Sequence, residues 1–332
     1  MNKYDSYQDH LEAAKEFIAA NDDFLVVSHI NPDGDAVSST CAMGLILQAL
    51  NKKCTMINEG QIPRKFHLLP GSREIVNYSA GGISRKFQRV ICVDCADYQR
   101  VDKVSELYAD DVQILNIDHH PTNNRYGTVN VIFAEAAATA EILHDLAEHL
   151  QIPWNEPLAT CIYTGLMTDT GGFRYANTTP KVMRIAAKLL AHGVNGNRMA
   201  EELLERISYA HIHLLKKALA TLSFSADKKI SWLVVSKQDY EECGASNEDL
   251  EGLVNYPRNI EGVEVGILFK EQRDGQIKIS LRSSGTANVA KIAQSFGGGG
   301  HIRAAGATIA GELDEVVTRV VKQVENSLER NE

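Results

Sequence analysis

The segment VQILNIDHH (residues 112–120) decides the fold prediction, because an apolar run leads directly into one aspartate and two histidines. A short apolar run that ends in polar residues is typical of a buried strand. Four other runs of this kind are also predicted as strands: residues 22–29, 53–58, 88–94 and 127–133. Because helical patterns alternate with these strands, we predict an α/β fold with an open, mainly parallel sheet and helices on both faces.

The rest of the sequence predicts a second, smaller domain. Helical patterns dominate after about residue 135, and strand-like runs return near residue 229. We therefore expect an N-terminal domain over residues 1–193, a helical connector over 194–222 and a smaller C-terminal α/β domain over 223–332.

Composition argues against several classes of protein. The chain has 332 residues and a net charge of −9, which disfavours a protein that tracks long duplex nucleic acid through many phosphate contacts. There is no apolar run long enough to span a membrane, and the N-terminus does not resemble a signal peptide, so we expect a cytoplasmic protein. The pair in CVDC (residues 92–95) is interpreted as two strand cysteines, since a zinc site needs further ligands.

Charged and histidine-rich motifs follow three of the predicted strands. INPDGD follows the first, VDCAD the third and IDHH the fourth, while TDTGGF (residues 168–173) ends an apolar helix. Ligands of an open parallel sheet bind beyond the carboxyl ends of its strands. We therefore expect one surface to gather eight side chains: His29, Asp33, Asp35, Asp94, Asp118, His119, His120 and Asp169.

Each motif taken alone also has a purely structural interpretation. NPDGD makes a good turn, Asp35 is a plausible helix N-cap, His29 could be a buried core histidine, and Asp94 could bond to a helix N-terminus. The motifs taken together favour a metal site, because clustered carboxylates repel one another unless cations are present. Aspartate and histidine without cysteine suit Mn²⁺ or Mg²⁺, and so large a set suits two ions, as in phosphoester hydrolysis.

Six segments resemble the motifs of a known family. HINPDGDA (29–36), VDCAD (93–97), DHHPTN (118–123) and GLMTDTGGF (165–173) are similar to the four motifs of the DHH phosphoesterases. SLRSSG and GGGGHIRAAGA resemble the DHH-associated C-terminal domain. The ordered set covers nearly the whole chain, and within the family it is most similar to the bacterial nanoRNases.

The resemblance implies a centre of two manganese ions, with Mg²⁺ or Co²⁺ as alternatives. The implied ligands are His29 and Asp33 for the first ion, Asp35, His119 and Asp169 for the second, and Asp94 for both. His120 is implied to face the scissile phosphate, and Asp118 to orient a histidine beside the metals. Asp94, His120 and Asp118 are thus the expected catalytic group.

The resemblance also implies a phosphate-binding site in the C-terminal domain. Consecutive glycines let a backbone approach an anion closely, and an arginine can bind a phosphate through two N–H groups. The implied contacts are Arg282, Ser283, Gly299, Gly300 and His301. Arg258 is a further candidate contact, with a solvated surface arginine as the alternative.

The activity implied by the resemblance has two parts. One is the degradation of very short RNA to nucleoside 5′-monophosphates, and the other is the removal of the 3′-phosphate from 3′-phosphoadenosine 5′-phosphate to give AMP. The nearest alternative is a phosphodiesterase specialised for linear or cyclic dinucleotides of the di-adenylate type. A nucleotide-binding regulator and a polyphosphatase are weaker alternatives, and the sequence leaves a homodimer open.

Overall fold

A computed structural model describes residues 6–272, 274–284 and 287–329 of the chain. The chain folds as two compact units, Met1–Arg206 and Ile207–Glu332. The sequence-based connector, residues 194–222, is divided between these two units, and the three-part domain boundaries stay a prediction.

The first unit is built around a six-stranded sheet. Its strands are β1 (Phe24–Val27), β2 (Cys54–Asn58), β3 (Val76–Asn77), β4 (Phe87–Val93), β5 (Tyr108–Asp118) and β6 (Val129–Ile132). The spatial order is β3-β2-β1-β4-β5-β6, and every neighbouring pair is parallel. This confirms the predicted open parallel sheet.

Helices cover this sheet and connect its strands. They are α1 (Tyr7–Ala20), α2 (Gly34–Ala49), α3 (Thr139–His149), α4 (Glu156–Asp169), α5 (Pro180–Ala191) and α6 (Gly196–Ala200), followed by a π-helical turn, Glu201–Glu205. Short 3₁₀ segments are Arg64–Leu68, Ser72–Glu74, Tyr78–Ala80 and Tyr98–Leu107.

The two faces of the sheet are buried in separate cores. Along β1, Phe24 and Val26 belong to a core shared with the α-helices, while Leu25 and Val27 belong to a second core under the segment Tyr98–Leu107. Successive side chains of a strand point to opposite faces, so a strand buried on both faces must be apolar at every position. This requirement explains why the unbroken apolar run FLVV was recognisable as a strand.

The strand order places a crevice beside β1 and β4. These two strands are neighbours, whereas the chain continues from β1 toward β2 on one side and from β4 toward β5 on the other. Such a switch point is where open α/β sheets bind ligands, beyond the carboxyl ends of the strands. The motifs that follow β1 and β4 therefore lie at the ligand-binding edge.

The second unit contains a mixed sheet of six strands. They are β7 (Ser223–Phe224), β8 (Ile230–Val235), β9 (Val265–Glu271), β10 (Gln276–Ser283), β11 (Gly299–His301) and β12 (Ala304–Ala310), in the order β11-β12-β10-β9-β8-β7. Only β8 and β9 pair in parallel among the described strands of this sheet. Its helices are α7 (Tyr209–Ala220), α8 (Lys237–Glu242), α9 (Asn255–Arg258), α10 (Val289–Gln294) and α11 (Leu313–Glu329).

The second sheet is covered unequally on its two faces. One face packs on α10 and α11 and buries Ile277, Ile279 and Leu281 of β10. The opposite face is covered by α7 and by the segment that leads into α9, mainly around β8 and β9, and we call it the open face. The alternating residues of β10 on that face, which include Lys278 and Arg282, are exposed or half-buried.

The predicted α/β class is confirmed, but four strands were missed. β3 and β7 have two residues each and leave no pattern, and the β11–β12 sequence is rich in glycine and alanine. The segment Tyr98–Leu107, predicted as an ordinary helix, is 3₁₀-helical with a break at Asp102, whose φ is 54°. None of the helices in the described residues is long and apolar enough to cross a membrane.

Candidate active site

His29 and Asp33 lie on the turn between β1 and α2. His29 Nδ1 is 2.8 Å from the carbonyl oxygen of Ile30. Because a carbonyl can only accept, Nδ1 carries the proton and Nε2 keeps the lone pair that a metal ligand needs. Asp33 Oδ1 accepts from the backbone N–H of Ala36 at 3.1 Å and caps α2. The helix cap is thus Asp33, and Asp35, the alternative considered from sequence, lies inside the helix.

Asp94 follows β4 and occupies the middle of the cluster. Its backbone has φ of 54°, a left-handed conformation that aspartate tolerates better than most residues, and its N–H donates to Ile117 at 3.0 Å. Oδ2 lies 3.6 Å from His29 Nε2, and Oδ1 lies 3.8 Å from His119 Nε2. The carboxylate of Asp94 therefore lies between His29, which follows β1, and His119, which follows β5.

Asp35 is buried and joins α2 to the start of α3. Its Oδ2 accepts from the backbone N–H of Thr139 at 2.6 Å, and its Oδ1 accepts from that of Ala140 at 3.0 Å. These are unpaired donors of a helix N-terminus, where a negative charge is favourable.

Close packing of α2 against α4 brings Asp35 near Asp169. A Cβ added to Gly165 of α4 would lie 2.5 Å from Asp35 Oδ1, and one added to Gly34 of α2 would lie 2.4 Å from Thr168 Oγ1. Glycine at these positions lets the helices approach closely. Asp169 is the last residue of α4, and its Oδ2 lies 3.3 Å from His119 Nε2.

His119 and His120 follow β5 but make different contacts. His119 Nδ1 lies 3.2 Å from the carbonyl oxygen of Ala136, so its Nε2 is the nitrogen directed at Asp94 and Asp169. His120 Nδ1 lies 2.8 Å from Asp118 Oδ1 and 3.6 Å from Asp94 Oδ1. Nδ1 is therefore the nitrogen of His120 that lies near Asp94, and its hydrogen bond with Asp118 leaves it poorly placed to bind a metal.

Among the described residues, three groups of side chains could each hold a metal ion, because within each group the potential ligand atoms lie within 4.8 Å of one another. They are His29, Asp33 and Asp94; Asp35, His119 and Asp169; and Asp94, His119 and His120. The first two sets coincide with the two ligand groups that the family resemblance implies, and Asp94 lies against both. Imidazole and carboxylate donors without thiolates fit divalent ions such as Mn²⁺, Mg²⁺ or Co²⁺.

The charges of the cluster also fit bound cations. Burial, and then the charge of nearby carboxylates, raises the pKa values of Asp35 and Asp169 well above their usual range. Burial would also raise the pKa of Asp94, but His29 and the two neighbouring histidines hold it well below its usual range. Carboxylates that destabilise one another in this way are stabilised by a cation among them.

Asp118 is fully buried and positions His120. Its second oxygen, Oδ2, accepts a hydrogen bond from Asn123 Nδ2 at 2.7 Å, so each of its two carboxylate oxygens has a hydrogen-bond partner. Burial and the charge of Arg100 act to lower the pKa of His120, but the hydrogen bond with Asp118 and the charge of Asp94 raise it to about 9. The two residues form a fixed pair beside the ligand sets.

Three residues near the site were not found from sequence. Thr139 Oγ1 donates to Asp94 Oδ1 at 3.0 Å, and Asn177 Nδ2 donates to the carbonyl oxygens of Ala137 and Asp169. Arg100 supplies positive charge, as noted above. Thr139 could have been found from the predicted start of a helix near residue 135, because helix N-termini commonly lie at the ligand-binding edge of the sheet.

In the second unit, the predicted phosphate contacts divide between the two faces of the sheet. Arg282 pairs with Ala304 of β12, which also pairs with His301 of β11. Directly paired residues share a face, so Arg282 and His301 lie on the open face. Gly299 belongs to this face too, and a Cβ there would meet no described heavy atom within 4 Å.

Ser283 and Gly300 belong to the opposite face. Ser283 pairs with Val265, a residue of the helix-covered core, and its buried hydroxyl has no hydrogen-bond partner among the described residues. Gly300 has φ of 140°, and a Cβ there would lie 2.5 Å from the carbonyl oxygen of Ala304. The structure thus does not bring the Ser283 side chain together with Arg282.

Arg258 lies against β9 on the open face. A Cβ on Gly266, the β9 partner of Arg282, would lie 2.4 Å from the backbone nitrogen of Arg258. Arg258 Nε is buried and has no hydrogen-bond partner within the described ranges. This contact places α9 over the same face that carries Arg282.

Comparison with known proteins matches two domains to this chain. The DHH family N-terminal domain matches residues 23–166, and the DHHA1 domain matches residues 228–330. The bifunctional oligoribonuclease and PAP phosphatase NrnA of Thermus thermophilus is 35% identical over 312 residues, which cover 92% of this chain and 90% of that protein. The protein of the same name from Bacillus subtilis is 28% identical over 295 residues, or 88% and 91% of the two chains.

A solved structure has the same fold along the whole chain. It is an exopolyphosphatase-related protein from Bacteroides fragilis, with a TM-score of 0.88 and 27% identity, covering 99% of this chain and 98% of that one. The parallel sheet, with its carboxylates and histidines at the switch point, defines a metal-dependent phosphoesterase. The chain belongs to the DHH family, whose members are hydrolases of phosphoric esters, and the resemblance seen in the sequence is confirmed.

Proposed function

We propose that this protein degrades very short RNA to nucleoside 5′-monophosphates and converts 3′-phosphoadenosine 5′-phosphate to AMP. The observation that carries the proposal is the pair of ligand sets that meet at Asp94. The Thermus thermophilus and Bacillus subtilis relatives are named for both activities, and their similarity extends over both units. Both substrates are phosphoric esters and differ mainly in the groups attached to the phosphate, so a single centre for phosphoester hydrolysis can act on both.

The residues of the site would have separate roles in metal binding and in contact with the phosphate. His29, Asp33 and Asp94 would hold one divalent ion, and Asp35, His119 and Asp169 the other, with manganese the expected metal. Two such ions supply positive charge for the phosphate oxygens and activate a water nucleophile. His120, held by Asp118, would donate a hydrogen bond to the scissile phosphate as negative charge develops.

The second unit would bind a substrate phosphate. On its open face, Arg282, His301 and the backbone of Gly299 offer donors, and Arg258 lies beside them. A guanidinium binds phosphate through two parallel N–H groups, and an unhindered glycine backbone allows close approach. The opposite orientation of Ser283 removes its side chain from this proposed contact set.

A panel of substrates tests the proposal. Initial rates with manganese would be compared for a two-nucleotide RNA, a 24-nucleotide RNA, 3′-phosphoadenosine 5′-phosphate, cyclic di-adenylate and polyphosphate. We expect rapid turnover of the first and third substrates and little of the others. Preference for cyclic di-adenylate would instead support the dinucleotide phosphodiesterase, and preference for polyphosphate would support the polyphosphatase.

One substitution tests whether both activities use the same centre. Asp94→Ala should abolish both, whereas Asp110→Ala, at an exposed position of β5, should leave both near the wild-type level. Retention of either activity by Asp94→Ala under manganese would contradict a shared site. A homodimer and a cytoplasmic location stay predictions, which sedimentation and cell fractionation would check.

A further inference from the structure

All the ionisable side chains that the strands of the second sheet place on its open face are basic. Directly paired residues share a face, so the register of β7–β12 assigns every described strand residue to one face. The ionisable residues on the open face are Lys270, Lys278, Arg282 and His301. The acidic residue of these strands, Glu271, pairs with Ile277 and therefore lies on the helix-covered face. The open face thus carries positive charge in a chain whose net charge is −9.

Lys278 extends the proposed phosphate site along β10. Arg282, Ser280 and Lys278 alternate along this strand, so all three side chains lie on the open face. Their partners on the neighbouring strand β12 are, in the same order, Ala304, Gly306 and Thr308. All six residues are exposed or half-buried. A row of donors on β10 therefore lies beside small residues on β12, and a ligand can reach it from solvent.

The charge of Lys278 is not neutralised within the protein. The residue is exposed, and its ammonium group makes no hydrogen bond or ion pair with any residue that the structure describes. Lys270 lies directly opposite on β9, and like charges at opposite positions of two strands destabilise their pairing. An anion bound at Lys278 would remove this repulsion.

The spacing along β10 indicates which kind of anion fits. Arg282 and Lys278 are four residues apart, or about 13 Å along a strand. Side chains of a strand stand roughly perpendicular to the sheet, so the two cationic groups have a similar separation. Six covalent bonds join neighbouring phosphorus atoms in RNA, and six bonds of about 1.5 Å reach no more than about 9 Å. The two positions therefore suit two phosphates of one strand that are not adjacent.

We propose that Lys278, with the hydroxyls of Ser280 and Thr308, forms a second phosphate site that binds an internal phosphate of a short single-stranded RNA. Another phosphate of the same strand would occupy the site of Arg282 and His301. A positively charged groove that follows the backbone is a common way to bind single strands without reading their sequence. The proposal rests on the proposed function for its class of substrate. It makes Lys278 a determinant of substrate length, because a dinucleotide is too short to reach both sites.

Binding of a fluorescently labelled pentaribonucleotide with a 5′-phosphate tests the second site in the full-length chain. Fluorescence anisotropy in EDTA avoids hydrolysis, and an unlabelled dinucleotide is measured by competition. One phosphate contact with a single strand contributes about 0.7 to the slope of log affinity against log salt concentration. Lys278→Gln should lower that slope by about this amount and weaken pentanucleotide binding about five-fold near 0.1 M salt. An unchanged slope and affinity, or an equal loss for the dinucleotide, would overturn the proposal.

Two variants control for the loss of a positive charge. Lys278→Arg keeps the charge on the same strand and should keep the wild-type slope and affinity. Lys322→Gln, at an exposed position of α11, removes one positive charge from a helix that packs on the opposite face. It should bind the pentanucleotide like the wild type. An equal loss in Lys322→Gln and Lys278→Gln would attribute the effect to net charge and refute the second site.

Kinetics distinguish this proposal from the proposed function. With manganese, Lys278→Gln should lower kcat/KM for the pentanucleotide about five-fold relative to kcat/KM for the dinucleotide and for 3′-phosphoadenosine 5′-phosphate. Unchanged ratios would refute the second site while leaving the proposed hydrolysis intact. A wild-type chain that hydrolyses none of the three substrates would contradict the proposed function, and the anisotropy data would then decide the second site by themselves.

Discussion

The hydroxyl of Thr139 donates a hydrogen bond to Oδ1 of Asp94 over 3.0 Å, and this contact links the start of α3 to the centre of the cluster. The backbone N–H of the same threonine donates to Oδ2 of Asp35 over 2.6 Å. Thr139 therefore contacts one carboxylate from each of the two proposed ligand sets. Such supporting hydrogen bonds fix the orientation of ligands before a metal arrives.

Thr139→Val tests this positioning role, because it removes the hydroxyl but keeps the shape and the backbone N–H. Loss of a supporting hydrogen bond typically costs about ten- to a hundred-fold in metal affinity or activity. We expect the manganese concentration for half-maximal activity to rise, or kcat to fall, by about ten-fold or more. Initial rates measured across a manganese titration give both quantities.

Thr139→Ser is the matched control because it keeps the hydroxyl. It should titrate like the wild type, and thermal unfolding should show that both variants are folded. A Thr139→Val enzyme with the wild-type manganese curve would show that the contact does not position the ligands.

Much of the first unit could be predicted from sequence because its geometry is repetitive. Parallel strands that are buried on both faces have continuous apolar runs. Such a run fills β1 and the C-terminal halves of β4 and β5, so these strands were recognisable, and their ends located Asp94 and His119. The contact between Thr139 and Asp94 joins residues far apart in sequence, and no local pattern encodes it. The opposite orientations of Arg282 and Ser283 follow from the alternation of β10 and could have been predicted. The pairing that places His301 on the face of Arg282 depends instead on the register of the glycine- and alanine-rich β11–β12 sequence, which no local pattern reveals.

Gly165→Ala should disturb the packing of α2 against α4. The added methyl would lie 2.5 Å from both Asp35 Oδ1 and Ala140 Cβ, groups that neighbouring helices hold in place. Overpacking of this kind typically costs about 1–3 kcal/mol and outweighs the better helix propensity of alanine. We expect a lower Tm in calorimetry, together with weaker manganese activation, because Asp35 is displaced.

Gly44→Ala is the control for that experiment, since Gly44 also lies in a buried helix. Its added methyl would meet Met56 Sδ at 2.7 Å, and the end of a methionine side chain can move aside. Tm and manganese activation should therefore stay close to wild type. An equal loss of stability in both variants would mean that the close approach at Asp35 has no special role.

Asp118→Asn should separate catalysis from metal binding. Asp118 accepts hydrogen bonds from His120 Nδ1 and Asn123 Nδ2, so an amide nitrogen at either oxygen position would face another donor. We expect kcat to fall by about ten- to a hundred-fold while the manganese concentration for half-maximal activity stays unchanged. Steady-state kinetics at several manganese concentrations would show this pattern.

A double substitution tests whether Asp118 acts through His120. If it does, Asp118→Asn combined with His120→Ala should be no slower than His120→Ala alone. Additive losses would instead assign Asp118 an independent role, such as binding a metal directly.

Arg282→Ala should weaken substrate binding without changing the metal centre. Arg282 lies on the open face of the second sheet with His301, and its Nη1 donates to the carbonyl oxygen of Leu281 at 3.0 Å. Hydrogen bonds to charged groups contribute about 1.5–3 kcal/mol, so losing a phosphate contact should raise KM by roughly ten-fold or more. Arg282→Lys should recover only part of this loss, because an ammonium keeps the charge but not the two-pronged geometry.

Ser283→Ala is the matched control, since its side chain lies on the opposite, helix-covered face. It should leave KM for a 5′-phosphorylated dinucleotide near the wild-type value. If Ser283→Ala raised KM as much as Arg282→Ala, or if Arg282→Ala left KM unchanged, the open face would not be where the phosphate binds.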